Sequence, residues 1–269
     1  MPEPVLRIFS YLPNPRVWKA LIAARLCGVE VEVTGANPGE LGRWLWDFNA
    51  RPLSESERTE DSPHAREARR GFAGTLYKTS QFLHAHPFGT VPAAFSPDGS
   101  IGVFESNSIL RAVARRGASG RQLYGLDDYE ASRIDSFLDA NLVFAREAQV
   151  YLLGIKALSA EGHARMAAAY DFYLSGVETS LEQGNPFIAG KSLTIVDISF
   201  VCDFAQFLRE GHSRHELEAQ GLKLISDEGP TQYPCSYRHL LTLAATPDFS
   251  AAMGTYLDWY LRRAEGRAD

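Results

Sequence analysis

Phe88-Gly89-Thr90-Val91-Pro92-Ala93-Ala94-Phe95, followed after a turn by Ile101-Gly102-Val103-Phe104-Glu105-Ser106-Asn107, is the stretch whose reading decides the fold. Its middle is a hairpin. Two short apolar runs, Ala93-Ala94-Phe95 and Ile101-Gly102-Val103, flank Ser96-Pro97-Asp98-Gly99. Proline presets the first turn dihedral and glycine accepts the positive φ that closes a turn, so this tetrapeptide reverses the chain. Pro92 stands directly after Val91 at the mouth of the first strand, a step that suits a cis peptide bond. Glu105-Ser106 sits where the second strand gives way to an apolar helix over residues 108–115. A helix start offers unpaired N–H groups to a carboxylate, and Glu105 offers charge to an ammonium. Read alone, Glu105-Ser106 is an ordinary helix cap. In this order and at this spacing, the two halves together form a specific signal that neither carries alone.

Upstream of that stretch, residues 5–9 alternate as a strand. Tyr11-Leu12-Pro13-Asn14-Pro15 is a loop by its proline content, and Pro15 is placed to open a helix, where its missing N–H costs nothing. Residues 16–27 carry the helical period through Val17, Leu21, Ala24 and Leu26, and Gly28 closes it as a C-cap. Residues 30–34 alternate again, so strand, helix and strand form a βαβ unit with parallel strands. Residues 35–70 read as irregular. Within them Arg43-Trp44-Leu45-Trp46-Asp47-Phe48 is expected to be a short helix packed on the domain rather than overhanging its site, and residues 54–62 have loop or disorder composition. A short helix near residues 79–83 leads into the Val-Pro step. Gly117-Ala118-Ser119-Gly120 is a small-residue linker, and all that follows reads helical: residues 129–153, 159–181, 194–209, 237–244 and 249–264. Thr194-Ile195-Val196-Asp197 is a capping box, with Leu193 and Ile198 placed for a hydrophobic staple.

Composition narrows the function. The 269 residues are 45% hydrophobic with a net charge of -6, enough for two ordinary domains with cores. No basic stripe suggests nucleic acid, no apolar run is long enough to span a membrane, and the start lacks the form of a signal peptide. Three scattered cysteines, Cys27, Cys202 and Cys235, form neither a disulfide framework nor a zinc pattern. A cytoplasmic protein without metal is the expectation, with Cys27 and Cys202 as small buried residues.

Four stretches carry a resemblance to a known family: Trp18-Lys19-Ala20-Leu21-Ile22-Ala23-Ala24, Phe88-Gly89-Thr90-Val91-Pro92-Ala93, Val103-Phe104-Glu105-Ser106-Asn107-Ser108-Ile109, and Phe187-Ile188-Ala189-Gly190-Lys191-Ser192-Leu193-Thr194-Ile195-Val196-Asp197-Ile198. With the βαβ start and the helical second half, they resemble the cytosolic glutathione transferase superfamily, in particular the glutathione-transferase-like domain of translation elongation factor 1 gamma. The resemblance covers nearly the whole chain outside residues 35–70, an insertion where the family has a much shorter connection. It implies a thioredoxin-like α/β domain over residues 1–117 and an all-α domain over 127–265, associating as a homodimer. The gamma subunit has a further C-terminal domain, so a stand-alone enzyme is the expected reading.

The implied chemistry is transfer of glutathione thiolate to a small electrophile, with peroxidase activity as a variant. A non-catalytic binding or scaffold protein, and a glutathione-dependent isomerase or lyase, are the alternatives. A free thiol is mostly protonated at neutral pH, so the site needs a donor for the sulfur anion. The loop before the first helix offers Asn14, Tyr11 and Ser10. Asn14 matches an asparagine of the gamma-subunit domain, and it also makes a good helix cap. Val91 and Pro92 are expected to pair with the tripeptide backbone, Glu105 to meet its ammonium and Ser106 the neighbouring carboxylate. His86, His84 and Lys78 are candidates for the glycyl carboxylate. Arg146 and Tyr151, with Gln149, are the candidates for an electrophile pocket, which the family places between its domains.

Overall fold

The computed structural model describes residues 3–68, 71–117 and 122–264. Residues 69 and 70 of the expected insertion, 118–120 of the expected linker and residue 265 lie outside the described residues. The chain divides into two compact units, Met1–Arg121 and Gln122–Asp269.

The first unit opens with β1 (Leu6–Tyr11), α1 (Pro15–Cys27) and β2 (Val31–Ala36). β1 and β2 run parallel from Leu6↔Val31 to Tyr11↔Ala36. At the upper end of that register a Cβ on Gly35 would lie 1.7 Å from the Ser10 carbonyl oxygen, so only glycine lets the strands approach there. Asn14 caps α1, with its Oδ1 accepting the Arg16 N–H at 2.9 Å. Gly28 ends the helix at φ 66°.

Residues 35–70, expected as an irregular insertion, hold ordered strands that residues 75–78 complete. β3 (Trp44–Trp46), β4 (Arg51–Pro52), β5 (Ala65–Glu67) and β6 (Thr75–Lys78) form a second sheet in the order β4-β3-β6-β5. The expected helix at the tryptophans is instead a strand, as suits aromatic residues on a pleated, half-buried surface. It does pack on the domain. Trp46 is buried and donates from Nε1 to the Leu41 carbonyl at 3.0 Å. Leu41, Trp46 and Leu76 share one core cluster with Phe9, Phe82, Ala93 and Phe95. In the polar run, Ser54 and Glu57 make a reciprocal capping box around a single helical turn, Glu55–Glu57.

α2 (Ser80–Ala85) follows, then β7 (Ala93–Phe95), β8 (Gly102–Phe104) and α3 (Ser106–Arg116). The first sheet has the order β2-β1-β7-β8, with β7 antiparallel to both β1 and β8. α1 and α3 pack on one another. This is the thioredoxin-like half of the expected fold.

The second unit is helical: α4 (Asp128–Gly154), α5 (Ala160–Glu182), α6 (Ile195–Phe207), α7 (Arg214–Ala219), α8 (Gly229–Gln232), α9 (Pro234–Ala244), α10 (Pro247–Met253) and α11 (Asp258–Ala264). Every residue of α6 except Gln206 is buried, which makes it the central helix. Asp197 accepts the Thr194 N–H at 2.8 Å, the Ile188 N–H at 3.0 Å and a contact from His239 Nε2 at 2.9 Å. The final stretch, expected as one helix, is two. Gly254, at φ 54° and ψ -131°, ends α10 before α11 begins. The short α7 and α8 have too little apolar period to stand out in sequence.

Candidate functional site

The hairpin register brings the two motifs together. Ala93 pairs with Phe104, so Pro92 and Val91 continue along the chain opposite Glu105 and Ser106. The Val91–Pro92 bond is cis, and so is Leu12–Pro13. Among the described residues no protein group pairs with the Val91 backbone N–H and C=O. Glu105 is exposed and carries a free-standing carboxylate at the start of α3. It is the one non-glycine residue at positive φ, 65°, among those described. Ser106 is buried at the first helical position, where the opening N–H groups of α3 lack intrahelical acceptors. One side of the first unit thus offers a bare strand edge, a carboxylate and a helix N-terminus. That set matches an extended peptide ending in an α-amino acid.

The loop behind this edge is firmly held. Lys78 Nζ donates to the Gly89 carbonyl at 2.7 Å and lies 4.6 Å from the Trp46 ring centre. Burial lowers the Lys78 pKa, with Arg66 adding to it. His86, expected at the glycyl carboxylate, is instead only 1% exposed. Its ring stacks on Phe104 at 4.8 Å, and its Nε2 accepts the Thr90 N–H at 3.3 Å. Burial pushes its pKa down to about 4, so it is neutral near neutral pH. It presents no cation to a ligand and fixes the loop that leads to Val91. Trp46 and Lys78 lie on β3 and β6, so the second sheet braces this loop.

In the loop before α1 the candidates for the thiol donor separate. Asn14 and Ser10 are both 0% exposed. The Asn14 amide donates to Ser10 Oγ at 3.0 Å while its oxygen caps α1. Its two ends are therefore engaged within the fold, and Asn14 is the structural cap that its sequence position also suggested. Tyr11 is partly exposed at the end of β1 and packs along the core cluster.

Sequence reasoning passed over Lys19, which lies on the apolar side of α1. It is 1% exposed, and its Nζ donates to Ser106 Oγ at 3.1 Å and Asn107 Oδ1 at 2.8 Å. A lysine among Trp18, Ala20 and Leu21 was the available signal.

Of the pocket candidates, Arg146 is exposed on α4 and reaches Gln149 Oε1 at 3.5 Å. Tyr151 does not line an open surface. It shares the inward face of α4 with Phe144 and Ala148, and its hydroxyl donates to the buried Glu210 at 2.8 Å. Burial, first, holds the Glu210 pKa above the usual carboxylate range, and burial likewise raises that of Tyr151. A cleft of about 360 Å³ opens beside the second sheet, bounded by Leu45, Leu53, His64 and Tyr77, and Val91 does not line it. Among the described residues no cluster of His, Cys, Asp and Glu could hold a metal ion, and no helix is long and apolar enough to cross a membrane.

Comparison with known proteins bears on this geometry. The glutathione transferase URE2P8 of Phanerochaete chrysosporium, solved with oxidized glutathione, superposes with a TM-score of 0.63 at 14% identity, over 99% of each chain. A glutathione S-transferase of Methylobacillus flagellatus with glutathione bound gives 0.60 at 14% identity, over 92% of this chain and 98% of that one. Elongation factor 1-gamma 1 of Oryza sativa is 27% identical over 253 residues, 93% of this chain and 48% of its own length. The glutathione S-transferase-like protein LUC7 of a Fusarium species is 26% identical over 200 residues, 73% of this chain and 74% of its own. The chain has the fold of the glutathione transferases, and its sequence is similar to those of elongation factor 1-gamma and glutathione S-transferase-like proteins. No family model matches it. The chain spans about half the length of the elongation-factor relatives it matches. Its sequence likeness to them extends across both of its units.

Proposed function

We propose that this protein is a glutathione transferase that binds glutathione along Val91, Glu105 and Ser106 and transfers its thiolate to a small electrophile. The observation that carries the reading is the convergence of an unpaired strand edge, the Glu105 carboxylate and the start of α3. Each offers what one part of a γ-glutamyl tripeptide needs: backbone pairing, a counter-charge for the ammonium and donors for the carboxylate. Since Asn14 and Ser10 bond to each other inside the fold, the thiolate is stabilised by Tyr11 together with the N-terminus of α1.

The enclosure of Asn14 and Ser10 also favours a second reading, a glutathione-binding module without turnover. It accords with the elongation-factor relatives. Two measurements separate the readings. Glutathione raises the melting temperature of the protein under both, because a ligand that binds only the folded state stabilises it. Turnover of chlorodinitrobenzene then decides. Under the transferase reading Tyr11→Phe lowers kcat at least about tenfold, the scale of one lost donor to a developing anion, while the glutathione Kd barely moves. Asn14→Ala instead lowers stability. Absence of turnover by the wild-type protein, with glutathione bound, selects the binding module.

A further inference from the structure

The buried lysine of α1 has no part in the reading above, yet it touches the residue expected to receive the ligand's carboxylate. We propose that Lys19 is a positioning residue that fixes Ser106 as a hydrogen-bond donor and so makes the start of α3 select a carboxylate. The inference rests on the glutathione reading and names how one of its subsites is built.

The argument starts from what a hydroxyl can do. Serine has one proton to donate and lone pairs that accept. Lys19 has three protons and no acceptor, so in its contact with Ser106 Oγ at 3.1 Å the hydroxyl must accept. The Ser106 proton is then directed away from the ammonium. A hydroxyl that accepts from a charged donor is also polarised into a stronger donor itself. Lys19 Nζ bonds Asn107 Oδ1 at 2.8 Å as well, which pins the ammonium between two consecutive residues of the first turn. At 1% exposure the lysine has little freedom to turn elsewhere.

Electrostatics agrees. The N-terminus of a helix carries partial positive charge, and a cation placed there works against the helix. Such a placement makes sense where an anion is to be received. Lys19, the polarised Ser106 hydroxyl and the opening N–H groups of α3 all favour negative charge at one spot. Glu105, on the other side of it, favours positive charge. A group bearing both within one residue is an α-amino acid end, and the γ-glutamyl end of glutathione is one.

The test measures dissociation constants by calorimetry for two ligands: glutathione, and its analogue lacking the α-carboxylate of the γ-glutamyl residue. The proteins are the wild type, Lys19→Met, Ser106→Ala and the double variant. Lys19→Met is expected to weaken glutathione by about tenfold, the scale of a charge-assisted contact. It should leave the analogue nearly unchanged and have little further effect in the Ser106→Ala background. An unchanged glutathione constant in Lys19→Met overturns the assignment. So does an equal loss for both ligands, or an undiminished loss without the Ser106 hydroxyl, because each marks a general packing defect. Should Lys19→Met not fold, Ser106→Ala alone decides: glutathione binding unaffected by it removes the donor role and the assignment. A wild-type protein that binds neither ligand overturns the glutathione reading itself, and this assignment with it.

Discussion

At the scale of single residues, Glu105 carries opposing demands. An L-residue at φ 65° outside a turn is strained, at a cost of about 1–3 kcal/mol. Its carboxylate is exposed and makes no contact that repays this within the fold. Glu105→Gly, which accepts positive φ freely, should therefore stabilise the first unit by up to about 1 kcal/mol. The same change should weaken glutathione by roughly 1.5–3 kcal/mol, the scale of a hydrogen bond to a charged group. Chemical denaturation and calorimetry on the one variant read the two effects. A variant that loses stability and keeps its affinity would contradict both halves of the argument. Asp197 is the contrasting residue, an acid wholly within the fold. It satisfies two backbone N–H groups and faces His239. Asp197→Ala should cost about 2–4 kcal/mol, more than an exposed cap, because it leaves several buried donors without acceptors. Activity per folded molecule should survive; full stability with lost turnover would reassign Asp197 to the chemistry.

At the scale of elements, the loop from α2 to β7 depends on a neutral histidine. The unfolded chain takes up a proton at His86 near pH 6.5, whereas the folded chain does so only near 4. Protons therefore favour the unfolded state as pH falls between these values. The stability supplied by neutral His86 is complete above pH 6.5 and is lost on the way to 4. About 1–2 kcal/mol is the expected fall, allowing for partial screening. Unfolding midpoints at several pH values check it, and the acid-side fall should shrink in His86→Gln. An identical pH profile in that variant would assign the fall to other groups. The elements themselves were legible to unequal degrees. α1 announced both ends through Pro15 and Gly28, the hairpin through Ser96-Pro97-Asp98-Gly99, and α6 through its capping box. β3 to β6 did not, because strands of two to four residues hold too few positions to display a period of two. Val91, Glu105 and Ser106 could be placed because the hairpin register follows from the turn. The burial of His86, Asn14 and Lys19 could not. It depends on contacts with Phe104, Ser10 and Ser106, and of these only Ser10 is near its partner in sequence.

At the scale of the whole molecule, α4 exposes apolar side chains along its length. Val143 is 56% and Leu153 is 66% exposed, and Leu142 and Val150 accompany them. A contiguous strip of this kind marks a contact surface more often than a solvated one. With closed two-fold pairing the commonest assembly, a homodimer is the expected state, and light scattering at micromolar concentration should give twice the chain mass. Val143→Glu with Leu153→Glu should return the monomer. A monomeric wild-type protein removes the proposal. The second sheet carries a consequence for any attempt to remove it. Trp46 and Leu76 belong to it and Leu41 stands just before it, yet the three complete a core that Phe9, Phe82 and Phe95 begin. Emptying the place of one such large side chain costs about 3–5 kcal/mol, and several together approach the entire margin by which domains of this size stay folded. Deleting residues 41–78 is therefore expected to unfold the unit. The two sheets thus behave as one piece of interior, and neither can be cut out or exchanged without rebuilding the other.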